Sequence, residues 1–380
     1  MSLLCLCMIV RNESHTIAKT LASALPAIDR YCILDTLSTD ETPAIIRETL
    51  AGIPGELHAE AFVDFAASRN RVLDLAGQGS EFILNMDADD VLVGAARLRE
   101  FLTSVRKLKD GGYYLKLAVP GAVFPTVRLL RARARWRYVG AVHELLLPPG
   151  QGSYPADIRS IEGASIDHYP DATGNKKTAA RWERDVAVLR AELEKDPGNT
   201  RAAFYLGRTL ADLAGSLEDP EARSATYRQA IEAYDVRIKL GGGFEEEIFS
   251  AKLYKARAAR EADIRWPFCV QYWLDAHEDN PMRSEPLADL AAEYGARDEH
   301  AQCVLFARRA FELSEQKGML FVEDHAYTIA HLLGWHAYYV PGCEELGKAA
   351  CRRAIELRPA ASEQDKSNLA LYLARESKSR

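Results

Sequence analysis

Over the first 170 or so residues, apolar positions fall in short unbroken runs separated by stretches with helical spacing. The runs are Leu3–Val10, Tyr31–Leu34 and Phe82–Met86, and the amphipathic stretches between the first of them cover Ser14–Leu25 and about Asp40–Leu50. This alternation predicts a β-α-β-α order. A strand apolar at every position is covered on both faces, so a largely parallel sheet between helical layers is expected. Polar clusters follow the strands directly: Arg11–Glu13, Asp35–Asp40 and Asp87–Asp90. Ligands in such sheets bind beyond the carboxyl ends of the strands, so the three clusters are predicted to converge at one crevice.

After Tyr169-Pro170 the pattern changes to alanine-rich segments with Leu, Ala, Tyr and Arg three and four residues apart. Ala203–Gly215 (AFYLGRTLADLAG) is followed by Ala230–Gly241 (AIEAYDVRIKLG), and HLLGWHAYYVPG by KAACRRAIELRP. Helix pairs around Leu253–Asn280 and Leu287–Ser314 fit the same hairpin less closely. This half resembles a degenerate tetratricopeptide array of about four units, whose hairpins bury their apolar faces by stacking. An irregular helical bundle is the alternative. The division predicts two domains, residues 1–170 and 171–380.

Composition agrees with a folded chain: of 380 residues, 48% are hydrophobic and 27% charged. A net charge of −7 argues against general nucleic-acid binding, which needs a basic surface. No apolar run approaches the roughly 20 residues of a membrane span. Seven cysteines without a CxxC pair are read as reduced packing residues, and the chain as cytoplasmic.

Asn85-Met86-Asp87-Ala88-Asp89-Asp90 carries the strongest chemical signal. Two carboxylates at i and i+2 after a buried strand can turn toward a hard divalent cation, Mg²⁺ or Mn²⁺, while phosphates complete its oxygen shell; a solvated acidic turn is the plain alternative. Asp35 can accept from a base N–H or a ribose hydroxyl, with Ser38 or Thr39 capping the next helix. In RLLRARARWR, strand spacing would put Arg131, Arg133, Arg135 and Arg137 on one face, either to gather phosphates or as a solvated edge.

LCMIVRNE (Leu6–Glu13), LDTLSTDET (Leu34–Thr42), FAASRN (Phe65–Asn70), LNMDADD (Leu84–Asp90) and YVGAVHELL (Tyr138–Leu146) resemble, in order and spacing, the motifs of family 2 glycosyltransferases. Asp167–Gly207 looks like the junction in the bacterial subgroup whose transferase domain precedes tetratricopeptide helices. The resemblance implies an α/β Rossmann-like GT-A domain with a mostly parallel sheet, followed by an all-α tetratricopeptide-like domain. It places nucleotide base and ribose near Val10, Asn12, Glu13 and Asp35, the donor diphosphate near Arg69 and Asp87, and the metal at Asp87, Asp89 and His143, with Asp89 the more direct ligand of the acidic pair. Glu144 and Asp90 are the candidates for the acceptor base, Glu144 preferred; a hydrogen-bonding support for His143, or a plain surface carboxylate, is its alternative role. Where the family has GSTD, this chain has Leu37-Ser38-Thr39-Asp40, and leucine is expected to hold ordinary backbone geometry.

The reading is a metal-dependent transferase using a nucleotide-sugar donor, UDP first, and acting on a protein or peptide acceptor bound by the helices. An inactive scaffold binding a protein partner and a transferase of modified DNA are the alternatives. A homodimer is compatible with the sequence.

Overall fold

The structure is a computed structural model. It describes residues 2–379 except 120–121, 141, 152–154, 156–157, 170–178 and 314–324. The chain divides into two compact units, Met1–Thr178 and Ala179–Arg380. The predicted boundary at 170/171 falls outside the described residues.

In the first unit, β1 (Ser2–Val10), α1 (Ile17–Ala24), β2 (Arg30–Asp35), α2 (Thr42–Thr49), β3 (Gly55–Ala59), α3 (Phe65–Ala76) and β4 (Ser80–Asn85) follow one another in the predicted alternation. They are followed by β5 (Asp90–Val93), α4 (Ala95–Val105), β6 (Gly112–Val119), β7 (Ala122–Arg131), β8 (Arg137–Val139), β9 (Leu145–Leu147) and β10 (Arg159–His168). Eight strands form one sheet in the order β3-β2-β1-β4-β7-β6-β10-β5, and β8 pairs with β9 separately. Strands β1 to β4 are mutually parallel, while β7 and β5 run against their neighbours.

The unbroken apolar run of β1 has a physical cause, since successive side chains leave a strand on opposite faces. Leu4, Leu6, Met8 and Val10 pack with Ile17 and Leu21 of α1, Ile46 of α2 and Leu98 of α4. Cys5 and Cys7 join Cys32 and Leu34 against Ala66, Val72 and Leu73 of α3, with Trp136 and Tyr138 beyond. Both faces are thus dry. Six of the seven cysteines are buried and all seven are unbridged, as packing residues should be.

Sheet order sets the site. From β1 the chain passes through α1 to β2 on one side, and later returns to β4 on the other, so β1 and β4 flank the topological switch point.

The second unit is helical: α5 (Ala179–Lys195), α6 (Thr200–Ser216), α7 (Pro220–Leu240), α8 (Glu245–Glu261), α9 (Trp266–Asp279), α10 (Glu285–Gly295), α11 (His300–Leu313), α12 (Ala326–His336), α13 (Glu344–Leu357) and α14 (Glu363–Ser379). Helices α6/α7, α8/α9, α10/α11 and α12/α13 are four successive hairpins, the expected array rather than an irregular bundle. Glycines let the partners close: a Cβ on Gly207 would stand 2.6 Å from the Tyr234 ring, and one on Gly334 2.8 Å from Cys351 Sγ. Among the described residues, no helix is long and apolar enough to cross a membrane.

Candidate active site

The β1 and β2 ends are tied into one frame. Thr36 N donates to Val10 O at 2.8 Å. Asn12 N donates to Ser38 Oγ at 2.9 Å, and Thr39 N to Asn12 Oδ1 at 2.7 Å. Asp35, buried, accepts from Ser38 Oγ at 2.5 Å and from Ser38 N. Glu13 N donates to Thr42 Oγ1 at 2.7 Å, and the Glu13 carbonyl starts α1 by accepting from Ile17 N. Two expectations are corrected here. Neither Ser38 nor Thr39 caps α2, whose N-cap is Glu41 without a side-chain cap bond; Asp40, one residue earlier, accepts from Thr42 N at 3.0 Å, and against the effect of burial its hydroxyl and amide neighbours Thr42 and Ser14 bring its carboxyl down to about 2. Nor does Leu37 hold ordinary geometry. Its φ is +64°, the left-handed region, and Asn12 opposite it has φ +55°.

Beyond β4 the Asp87–Asp90 turn is anchored from three sides. Met86 N bonds to Cys7 O of β1, Thr20 Oγ1 of α1 donates to Ala88 O at 2.6 Å, and Tyr169 N to Asp89 O at 3.0 Å. Asp87 receives Arg69 Nη2 on one carboxylate oxygen at 2.5 Å and Arg128 Nη2 on the other at 2.8 Å. Arg69 Nε also donates to Glu144 Oε1 at 2.9 Å. Both guanidiniums are largely buried, 13% exposed. Asp64 caps α3 by accepting from Ala67 N, which fixes the turn carrying Arg69. From the same helix, Asn70 exchanges two 2.8 Å hydrogen bonds with the Tyr138 backbone and so positions the segment leading to Glu144.

Asp90 is fully buried. Its Oδ2 accepts from Asp87 N at 2.8 Å and its Oδ1 meets His168 Nδ1 at 2.9 Å. His168 Nδ1 also lies 3.5 Å from Asp89 Oδ1. Ligand atoms of Asp89, Asp90 and His168 all fall within 4.8 Å of one another, the one such grouping of three among the described residues. His143 is exposed in a left-handed turn (φ +52°) between β8 and β9, and Asp87 lies outside the group as well.

Charge divides the site into two parts. Burial raises the Asp87 carboxyl, but Arg128 and Arg69 outweigh it and hold the group well below the usual carboxylate range. Asp89 moves the other way: burial, with Asp87 and Asp90 nearby, outweighs His168 and raises it. The hydrogen bond to Asp90 raises His168. The two arginines thus answer Asp87 and Glu144, leaving excess negative charge at Asp89 and Asp90. Two carboxylates and an imidazole are a donor set that a hard divalent cation could use, and at present His168 is the basic group beside both carboxylates.

Arg128 and His168 were not singled out in the sequence. Arg128 reads as an ordinary strand residue; His168 ends the alternating stretch Arg159–His168, and only the antiparallel register of β10 with β5, which sets His168 opposite Asp90, brings it in. The arginine ladder is overturned. A short 3-10 turn spans Ala132–Ala134, Arg135 is left-handed (φ +52°), and buried Arg131 donates inward to the carbonyls of Val105, Arg106 and Asp110.

Residues 5–141 match the family described as Glycosyl transferase family 2. A TPR repeat-containing protein of Synechococcus elongatus is 40% identical over 210 residues, 50% of this chain and 49% of that protein. The SPbeta prophage-derived glycosyltransferase SunS of Bacillus subtilis is 27% identical over 213 residues, 53% of this chain and 48% of SunS. This chain therefore matches about half the length of those relatives. Among solved structures, S. aureus TarS is similar with a TM-score of 0.40 and 13% identity, over 69% of this chain and 88% of that one. The match to glycosyl transferase family 2 thus lies within the amino-terminal unit, and the unit after it is an array of tetratricopeptide-like helices.

Proposed function

We propose that the chain transfers a sugar from a nucleoside diphosphate donor, a UDP-sugar first, to a protein or peptide acceptor, with Mn²⁺ or Mg²⁺ held at Asp89, His168 and Asp90. One observation carries the reading: at the switch point of a family 2 domain, two buried arginines and a carboxylate-imidazole group stand side by side. A bound cation would supply charge for the leaving diphosphate. The other roles belong to this chain's own groups. Arg69 and Arg128 receive phosphate oxygens, for which a guanidinium has matching geometry. Val10, Asn12, Glu13 and Asp35 form the rigid floor for base and ribose.

Asp90 acts through its neighbours rather than as a base, because both its oxygens are bonded and it has no exposed surface. Glu144 is the acceptor base. Its Oε1 is held by Arg69, and its Oε2 has no hydrogen-bond partner among the described residues. A base must reach the proton it removes, and Oε2 is the oxygen placed to do so. The helical hairpins select the acceptor, as stacked hairpins do by presenting an extended surface.

Thermal melting of the full chain with Mn²⁺ and each common nucleoside diphosphate tests the reading, since a ligand that binds only the folded state must raise the melting temperature. UDP with Mn²⁺ should raise it. His168→Ala should lose the metal-dependent part and His143→Ala should keep it. No shift with any nucleoside diphosphate would sink the donor assignment, and an intact metal response in His168→Ala would sink the ligand set.

A further inference from the structure

Strand β7 is ten residues long, yet only residues 129–131 pair with β4, Leu129 with Leu84 and Arg131 with Phe82. Because β7 runs against β4, the residues before Leu129 lie past the carboxyl end of β4. Arg128, the first of them, reaches Asp87 with Nη2 at 2.8 Å. Residues 122–127 continue beyond it, about 20 Å of extended chain at 3.3 Å per residue. On one side this arm is held: β6 pairs with it from Tyr114–Val127 to Val119–Ala122, and β10 accompanies β6 as far as Ala118. On the side toward β4, among the described residues, no strand pairs with residues 123–127 and no other backbone hydrogen bond joins them.

Pro125 stands in the middle of the arm, opposite Lys116. Proline has no N–H to give to a neighbouring strand, so inside a sheet it is confined to an edge. Its backbone therefore turns away from β6, and in an antiparallel ladder Val123 and Val127, two residues to either side, turn the same way. The N–H and C=O of both valines and the C=O of Pro125 form an open row. Unused edges are ordinarily guarded by charge or covered. Here Pro125 limits the row to a short one, but β7 carries no charge before Arg128, and the side chains exposed along it are Val123 (66% exposed), Phe124 (40%) and Pro125.

The chemistry of the row selects its occupant. An extended polypeptide repeats donors and acceptors at the spacing of a strand, and adding one to an edge is a recurring mode of peptide recognition. Its side chains would meet valine and phenylalanine, which favours apolar and β-branched partners over charged ones. The row also leads to the candidate site, since Arg128, Asp87, Arg69 and Glu144 follow one another through hydrogen bonds at its inner end. We propose that the acceptor polypeptide binds as an added strand along the open side of β7, with an uncharged segment of apolar and β-branched residues around the Ser, Thr or Cys that takes the sugar. This rests on the peptide-acceptor reading above and adds, within the catalytic unit, the surface that aligns the acceptor with Glu144.

An array of short synthetic peptides, each with one central Ser, Thr or Cys, tests this through binding of the full-length protein in the presence of UDP and Mn²⁺. Bound peptides should be uncharged and rich in Val, Ile, Thr and aromatic residues. N-methylation of a bound peptide should weaken it about tenfold at alternate positions only, the signature of a backbone ladder. Val123→Pro removes one outward N–H and spares the β6 ladder; Val123→Lys keeps the backbone and adds a guarding charge. Each should weaken the peptide about tenfold, with a melting temperature within about 2 °C of the parent and an unchanged response to UDP with Mn²⁺. Equal binding by the parent and both variants, or N-methyl effects without alternation, would overturn the inference and leave the acceptor reading standing. A parent dimer that Val123→Pro dissociates in sedimentation would overturn it by giving the edge to a second copy, and an array on which no peptide binds would overturn both readings.

Discussion

Replacing Asp87 by asparagine keeps the side-chain shape and removes its charge. Two guanidiniums lose their ionic partner at once, from 2.5 and 2.8 Å. Arg69 keeps Glu144 at 2.9 Å, whereas the next carboxylate oxygen to Arg128 is Asp90 Oδ2, at 3.8 Å and already accepting from Asp87 N. Breaking a buried ion pair from one side costs about 3–5 kcal/mol, because the remaining charge stays out of water. Asp87 itself is 25% exposed, which lets some solvent in and lowers the expected cost to about 2–4 kcal/mol. In a domain of this size each kcal/mol moves the midpoint by about 2–4 °C, so the first unit should melt about 5–15 °C lower.

Scanning calorimetry of the full chain, without metal or nucleotide, reads this directly, with the transition of the helical unit as internal control. Adding Arg128→Met removes the orphaned cation, so the double variant should recover part of the loss, a coupling that a plain cavity or misfolding effect would not produce. There is also a pH signature. A carboxylate whose folded pKa is depressed contributes stability that is full above its unfolded value and disappears as pH falls through the folded value. The difference between parent and Asp87→Asn should therefore hold at neutral pH and narrow only in strong acid. A first transition within about 2 °C of the parent, or equal destabilisation of the double variant, would show that the arginines are held by something other than Asp87.

Two further outcomes concern the helical unit. Gly207→Ala would set a methyl 2.6 Å from the ring of buried Tyr234, so the α6/α7 hairpin should lose about 1–3 kcal/mol and the second transition should fall while the first stays in place; an unchanged second transition would mean that the helices are not packed at this distance. His336 is buried with its Nδ1 2.7 Å from His300 Nδ1, and burial, then His300, lowers its pKa; since the unfolded chain binds that proton more readily, stability should be full above about pH 6.5 and decline below it. Melting from pH 7.5 to 5 should show this for the parent and a flatter profile for His336→Gln, and parallel profiles would reject it.

The order β1, α1, β2, α2 and, later, β4 was legible because each element has its own period and these three strands are dry on both faces, whereas β3 is an exposed edge strand without an apolar run. The helical hairpins were legible because small residues recur where helices touch, as at Gly207 and Gly334. The motifs after β1, β2 and β4 were legible because chain order places them at one sheet edge. What sequence did not show depends on register or backbone sign. His168 reaches Asp90 only through antiparallel pairing of β10 with β5, across more than seventy residues. The arginine ladder failed because a two-residue period holds only while the strand lasts, and the strand ends at Arg131. Leu37 was misjudged because residue type was taken to set φ, whereas the hydrogen bonds of Ser38 and Thr39 to Asp35 and Asn12 set it.

Asp87 and Asp89 show how far a short motif can be read. In sequence they are two carboxylates two apart, a spacing that suggested a shared cation, and only the resemblance favoured Asp89 as its direct ligand. In the fold their surroundings push them in opposite directions, Asp87 down toward permanent ionisation between two guanidiniums and Asp89 up beside two other carboxylates. Groups separated in this way take separate tasks. A cation approaching Asp87 would have to displace one of two short ion pairs, whereas at Asp89 it would relieve repulsion. On the proposed reading the binding energy of a metal would be concentrated at Asp89 and His168, and Asp87 would hold Arg69 and Arg128 where the donor's phosphate oxygens would arrive. It follows that Asp89→Asn should weaken the metal response without moving the metal-free melting temperature downward, because removing a carboxylate whose ionised form is disfavoured by burial costs the fold little. A metal-free loss as large as that in Asp87→Asn would contradict the division.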